Sequence, residues 1–284
     1  MPQVAEINPA VDDFLARHQN IQALPENAVR ILRMTRDSNC NIWQLLKLVE
    51  QDAALSARIM KAVNSAFYAL HTKMTRLDRA VVFMGLKAVK EVTASSSLSG
   101  LCRDVTIGNH NARELWDHSV GVAILCRELA IHSRTVDPDD AFLAGMLHDV
   151  GLLLAVQSEL DKSEVLFQAA DAGKFSFTEV EQSVFGFNHC ELGERLAQRW
   201  NFPDYVDDVI RWHHHPEEAP DEFKPFCRHV YIADSLCCEA KVGFRLTCAL
   251  QEVTDQTLEM AHLSHQTIAE VTAKLPLLLR LHLD

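Results

Sequence analysis

Basic residues are scarce in this sequence: 27 Lys and Arg stand against 39 Asp and Glu, a formal net charge of -12 over 284 residues. Nucleic acids and anionic membrane surfaces are bound by clustered cations that displace counterions, so the deficit disfavours both as partners. The first residues, Met1-Pro2-Gln3-Val4-Ala5-Glu6, hold no basic stretch followed by an apolar core, and no apolar run approaches the roughly 20 residues that cross a bilayer. A cytoplasmic location is the expectation. None of the eight cysteines (Cys40, Cys102, Cys126, Cys190, Cys227, Cys237, Cys238, Cys248) belongs to a CxxC pair. Most sit among apolar neighbours, which points to reduced thiols packed in the interior. Period-two alternation bounded by turn residues is missing, so no sheet of any size is expected. No fixed-period repeat or low-complexity segment stands out.

What is present is a globular composition, 48% hydrophobic and 23% charged, in a chain long enough for two lobes with buried cores. Helix signals recur throughout. Asn8-Pro9 pairs an N-cap with a proline at the first helical position, Leu24-Pro25 starts another segment, and Asp52 caps a run in which Leu55, Ile59, Ala62 and Val63 keep helical spacing. Further helices are predicted at about 42–50, 77–84 and 86–99, the last running into Ser95-Ser96-Ser97-Leu98-Ser99-Gly100, whose small polar residues weaken helical propensity. A boundary near 100–110 follows, giving an N-terminal helical lobe over 1–105 and a second over 106–284. In the second, Leu115, Val122, Leu125 and Leu129 share a face with His118, and Asp137-Pro138 opens the helix expected to carry His148-Asp149. Residues 216–226, rich in proline and acidic groups, are expected as a loop. The fold class is all-α and two-lobed.

Several polar residues sit where the pattern is otherwise apolar. In Met146-Leu147-His148-Asp149-Val150-Gly151 an imidazole and a carboxylate lie side by side, and leaving either buried without a partner would cost roughly several kcal/mol. Nitrogen beside oxygen suits a divalent transition metal; the competing interpretation is a core histidine bonded to a neighbouring helix. Glu114 and His118 are four residues apart, one turn on one helical face, as a ligand pair or as a solvated or capping pair. His189 follows Asn188, a candidate N-cap, and is either a ligand or an exposed first helical residue. The run His213-His214-His215 is either a ligand source or a set of cations suited to the last turn of a helix. Asp234, flanked by Ile232, Ala233 and Leu236, needs a partner for the same reason as Asp149.

The order His118, His148-Asp149, His189, His213-His214, Asp234 resembles the HD superfamily of metal-dependent phosphohydrolases, in the wider form with extra histidines found in HD-GYP phosphodiesterases. A still closer resemblance is to the HDOD family, the HD-related output domain of bacterial signalling. It is carried by Leu24-Pro25, Asp52-Ala53-Ala54-Leu55-Ser56, Asn64-Ser65-Ala66, Leu77 with Ala80-Val81 and Gly85, Trp116 with His118, Gly145 to Gly151, Trp200 with Pro203, and His213-His214 with Pro216, over roughly residues 17–220. The resemblance implies a divalent metal (Fe, Mn, Zn, Ni or Mg) held by His118, His148, Asp149, His189, His213, His214 and Asp234, with Glu114 as an additional ligand.

Two departures separate the chain from the enzymes. Active relatives follow His-Asp-x-Gly with a lysine that contacts substrate phosphate, where this chain has Leu152. The Gly-Tyr-Pro loop of HD-GYP enzymes is replaced by His215-Pro216-Glu217-Glu218-Ala219-Pro220-Asp221-Glu222, whose acids repel a phosphate-rich substrate. The resemblance therefore implies a regulatory protein of bacterial signal transduction, metal-binding and non-catalytic, with signalling proteins as partners. A metal-dependent phosphohydrolase acting on a nucleotide or cyclic dinucleotide is the alternative.

Overall fold

The computed structural model describes residues 8–18, 26–34, 41–65, 68, 70–101, 105–248 and 250–283, and among these the chain is helical apart from one short hairpin. Leu24-Pro25, Cys40, Ala66 and Cys102, singled out above, lie outside the described residues.

The first lobe is built from α2 (Glu26–Met34), α3 (Ile42–Glu50), α4 (Ala53–Val63) and the start of α5 (Leu77–Leu101). Its core comprises Ile31, Leu45, Val49, Leu55, Ile59, Val63, Val81 and Val89, spaced at helical intervals on each element. Asp52 caps α4 as its position predicts, accepting a hydrogen bond from Leu55 N at 3.0 Å. Helix α5 is broken at Gly85, whose φ of 77° is readily adopted only by glycine. The break separates the two helices predicted at 77–84 and 86–99.

A two-residue antiparallel hairpin, β1 (Thr106–Ile107) with β2 (His110–Asn111), leads to the second lobe, with Thr106 opposite Asn111 and Ile107 opposite His110. Asn111 then caps α6 (Ala112–Ser133), a largely buried helix around which the lobe is assembled. Against it pack α7 (Pro138–Leu147), α13 (Lys224–Glu239) and α15 (His265–Leu283). Then come α8 (Val150–Ser158), α9 (Leu160–Asp171), α10 (Phe177–Phe185), α11 (His189–Arg199), α12 (Asp204–Trp212) and the short α14 (Asp255–Met260).

Four expectations need correction. The segment Pro138–Ser158 is long and apolar enough to cross a membrane, although no such run was anticipated; 94% of its most apolar window is buried inside the protein, as in the core helix of a folded lobe. Helix α1 (Pro9–Arg17) does not join the first lobe. Its Val11, Phe14 and Leu15 enter the second core, the Asn8 amide donates to Gly186 O at 2.9 Å, and the Phe14 and Phe187 rings meet edge to face at 5.2 Å. The stretch 216–226 is only partly loop, because Pro216–Glu218 forms a 3-10 turn and α13 begins at Lys224 with Pro225 in its first turn. Cysteines 238 and 248 are joined in a disulfide, because the chain after α13 folds back onto that helix's last turn; Cys126, Cys190, Cys227 and Cys237 are buried free thiols, as expected.

Ion pairs join the lobes. Lys90 is 5% exposed and lies 2.8 Å from Asp140, whose same oxygen accepts from the Tyr205 hydroxyl at 2.9 Å. Lys87 pairs with Asp139 at 2.6 Å, and Arg127 bridges Glu91 and Asp139.

Helix α12 carries Asp204, Asp207 and Asp208 beside Glu194 and Glu222. Burial first, then these like charges, push the Asp207 carboxyl up to about 7 and that of Asp208 to about 6. Between the ordinary value of 3.8 and these raised values the folded protein holds protons that the unfolded chain has released, so stability falls as pH rises through that window. Partial exposure keeps the effect small. Asp207→Asn is expected to raise the unfolding midpoint at pH 8 by about 1–3 °C and to flatten its decline between about pH 4 and 7, measured by calorimetry.

Candidate metal centre

The site is made where helices end. Helix α7 stops at Leu147, His148 is its C-cap, and Asp149 occupies the N-cap position of α8 without using its side chain as a cap. The sequence expectation that one helix carries the pair is thus corrected: His148-Asp149 is the junction of two helices. That frees both Asp149 oxygens to point into the lobe. Gly151 makes the junction possible, since a Cβ there would collide with the His189 carbonyl oxygen and stand 2.7 Å from Gly193 N. Helix α8 therefore packs backbone to backbone on α11, bringing His189 to Asp149.

His189 opens α11 behind an Asn188 capping box, and it is buried rather than exposed. His213 is the C-cap of α12, Asp234 lies mid-way along α13, and His118 sits nearly two turns into α6 on its buried face. These side chains converge. Asp149 Oδ2 lies 3.3 Å from His148 Nε2 and 4.0 Å from His118 Nε2, while Oδ1 lies 3.3 Å from His189 Nε2 and 3.7 Å from His213 Nε2. Asp234 Oδ1 stands 3.0 Å from His118 Nε2, and His214 Nε2 is 3.0 Å from His189 Nε2. The carboxylate of Asp149 thus divides the cluster into a half with His118, His148 and Asp234 and a half with His189, His213 and His214.

Ring orientation is set by a second layer of contacts. His148 Nδ1 meets Gly145 O at 2.7 Å, His213 Nδ1 meets Ile210 O at 3.0 Å, and His189 Nδ1 meets Glu181 Oε2 at 2.6 Å. With Nδ1–H donating in each case, the Nε2 lone pairs face the centre, the tautomer that metal ligation requires. His189 Nε2 and His213 Nε2 then approach to 3.3 Å, a repulsive meeting of lone pairs unless a proton or a cation lies between them.

Electrostatics follows from burial: His118, His148, Asp149, His189, His213 and Asp234 are all 0–2% exposed. Burial, helped by His148 and His189, drives the His213 imidazole down to about 3, and burial with His213 and His189 lowers His214 well below its usual range. Burial opposes ionisation of Asp149, yet the imidazoles of His148, His189 and His213 outweigh it and hold the carboxyl well below the ordinary carboxylate range. His118 is likewise disfavoured as a cation by burial but raised overall by Cys237 and Asp234. Burial likewise opposes a charge on His189, but Cys190 and Glu181 raise it overall. His213 and His214 as neutral imidazoles and Asp149 as a carboxylate are already in the forms that ligate metal.

The donor set fits a metal on two counts. His118 Nδ1 and Nε2, His148 Nε2, both Asp149 oxygens and Asp234 Oδ2 are buried without a hydrogen-bond partner. Such groups are expensive to leave unsatisfied. Ligand atoms of His118, His148 and Asp149, those of His118, Asp234 and Cys238, and those of His189, Cys190, His213 and His214 each lie within 4.8 Å of one another. One predicted ligand is not brought in: the Glu114 side chain is 42% exposed and lies 3.7 Å from His110 Nδ1 at the surface, because its position on α6 turns outward while His118 turns inward. Two residues escaped the sequence reading. Glu181, 1% exposed, orients His189, and nothing in Thr178-Glu179-Val180-Glu181 distinguishes it from a surface acid. Cys190, whose neighbours suggest only core packing, has its Sγ 3.5 Å from His189 Nε2.

If Asp149 serves both halves, Asp149→Ala is expected to lose all bound metal, whereas Asp234→Asn and His213→Ala each lose only part. Elemental analysis of protein purified without chelator checks the stoichiometry. Gly151→Ala is expected to destabilise the fold by roughly 1–3 kcal/mol, measured by urea unfolding.

The HDOD domain family matches residues 21–216. Among curated relatives, an uncharacterised protein of Treponema pallidum (strain Nichols) is 26% identical over 221 residues, covering 77% of this chain and 42% of that protein. YuxH, an uncharacterised protein of Bacillus subtilis (strain 168), is 24% identical over 190 residues, covering 63% of this chain and 46% of YuxH. The chain thus spans less than half the length of either relative. Of solved structures, an HDOD domain protein of unknown function from Geobacter sulfurreducens is 25% identical, with a TM-score of 0.75 and 95% and 97% of the two chains covered. Two others share the fold at lower identity: a candidate phosphohydrolase from Shewanella amazonensis SB2B (21%, TM-score 0.73, 97% of each chain covered) and a candidate signal transduction protein from Marinobacter aquaeolei VT8 (17%, TM-score 0.76, 97% and 65% covered). With more than half of its length matched, the chain belongs to the HDOD family.

Proposed function

We propose that this protein is a regulatory module of bacterial signal transduction, recognised by signalling proteins, in which the buried His–Asp cluster holds one or two divalent metal ions without turning over a cyclic dinucleotide. The observation that carries this reading is access. Six of the candidate ligands are 0–2% exposed, and two neighbouring cavities of about 350 and 270 Å³ touch only His214 among the cluster. A substrate phosphate in either cavity meets the edge of the centre, not its middle.

The residues that would have to assist are also absent from the places where assistance is needed. Leu152, where active relatives carry lysine, is fully buried in the apolar core. Of the acidic residues after the histidines, Glu217 is held by Arg228 at 2.7 and 2.8 Å, so that cation is already engaged. Phosphodiester hydrolysis needs donors or positive charge where the transition state gathers negative charge, worth about 3–4 kcal/mol per donor. A bound ion would supply Lewis acidity and an acidified water. The chain's own residues here hold and orient the ligands. An imidazole-rich set with carboxylates suits Zn, Fe or Ni better than Mg.

A second reading, a metal-dependent phosphohydrolase on a nucleotide, is favoured by the intact ligand row and by His214 opening onto a cavity. The two are separated by assay with cyclic di-GMP in the presence of Mn²⁺ or Fe²⁺. Hydrolysis no faster than the protein-free control is expected. Robust turnover that disappears in both His148→Ala and Asp149→Ala would establish the enzyme instead.

A further inference from the structure

The Cys238–Cys248 disulfide has no part in the function proposed above, yet it borders the cluster. Cys238 lies one turn beyond Asp234 on α13, and its Sγ is 3.9 Å from Asp234 Oδ1, the oxygen that stands 3.0 Å from His118 Nε2. Ligands sharing one tetrahedral Zn²⁺, with bonds of about 2.0 Å to nitrogen or oxygen and about 2.3 Å to sulfur, are separated by roughly 3.3–3.8 Å. The sulfur is therefore close to ligand spacing. Independent of it, Asp234 Oδ2 and both His118 nitrogens are fully buried and without hydrogen-bond partners. Cys248 Sγ, by contrast, lies beside the backbone oxygen of Asp234, at 3.8 Å, and offers the cluster no comparable approach.

We infer that Cys238 is a thiolate ligand of the His118–Asp234 half of the centre, available only when the disulfide is reduced, so that the thiol redox state sets how tightly this half holds metal. The inference rests on the reading that the cluster binds a divalent ion. In the oxidised protein the sulfur is committed to Cys248. A dithiol reductant transfers two electrons and two protons to the pair and leaves as its own disulfide, giving two thiols. The Cys238 thiol then loses its proton to solvent as its sulfur bonds to the ion. Cys238 is part-exposed, so a reductant has a route to the bond, and reducing compartments favour the open form. Segment 241–248 sets the geometry of the oxidised form: Phe244 N donates to Glu114 O at 2.9 Å, docking the segment on α6 and holding Cys248 over the end of α13.

The test is a Co²⁺ titration of the full chain, with a dithiol reductant and after oxidation, on the wild type, Cys238→Ser and Cys248→Ser. The reduced wild type is expected to develop a near-ultraviolet thiolate-to-cobalt charge-transfer band and to bind Co²⁺ at least tenfold more tightly than the oxidised protein. Cys248→Ser should show the band with or without reductant, and Cys238→Ser should show it under neither condition. A band that persists in Cys238→Ser would assign the thiolate to another cysteine, Cys190, Cys237 or the freed Cys248, and overturn the inference. Equal Co²⁺ affinity in both redox states with no thiolate band would overturn it while leaving a histidine–carboxylate metal centre standing. Failure of every form to bind Co²⁺ would overturn both.

Discussion

The second lobe is organised around one buried carboxylate. Asp149 is 2% exposed, and burial opposes its ionisation; His148, His189 and His213, 3.3–3.7 Å from its two oxygens, outweigh that and hold the carboxyl well below its ordinary range, with His118 at 4.0 Å. Those imidazoles come from four separate helices or helix ends, so the arrangement requires α6, the α7–α8 junction, α11 and α12 to meet at one point. Such a constellation is costly in an apolar core unless it is completed. A divalent cation would complete it, satisfying the partnerless atoms of His118, His148, Asp149 and Asp234 and relieving the lone-pair contact of His189 with His213.

The rest of the lobe serves that meeting. The α7–α8 junction ends one helix at His148 and starts another at Asp149, and the absence of a side chain at Gly151 lets α8 lie against the backbone of α11. Glu181 and the carbonyls of Gly145 and Ile210 turn the rings inward. The same tight packing excludes solvent and leaves His214 as the member that the adjoining cavities reach.

Much of this was legible in the sequence because it depends on local chemistry. Caps at Asn8, Asp52, Asp137 and Asn188 are set by side chains within two or three residues of the helix start, and the break at Gly85 by one residue's backbone freedom. The buried polar residues declared themselves by contrast with apolar neighbours. Long-range packing did not. The placement of α1 on the second core depends on Asn8 reaching Gly186, the Cys238–Cys248 pairing on a chain reversal, and the role of Glu181 on α10 lying beside α11. Glu114 shows the limit of spacing arguments in the other direction: one helical turn from His118 placed it near the ligand in sequence, but its side chain leaves α6 towards solvent.

Anomalous diffraction at the metal absorption edge, from crystals of protein purified without chelator, would locate the ion. One or two strong peaks are expected within coordinating distance of Asp149, one on the side of Oδ2 with His118 and His148 and any second on the side of Oδ1 with His189 and His213. Peaks confined to the protein surface, or none at the cluster when metal is supplied at saturating concentration, would contradict a metal centre there.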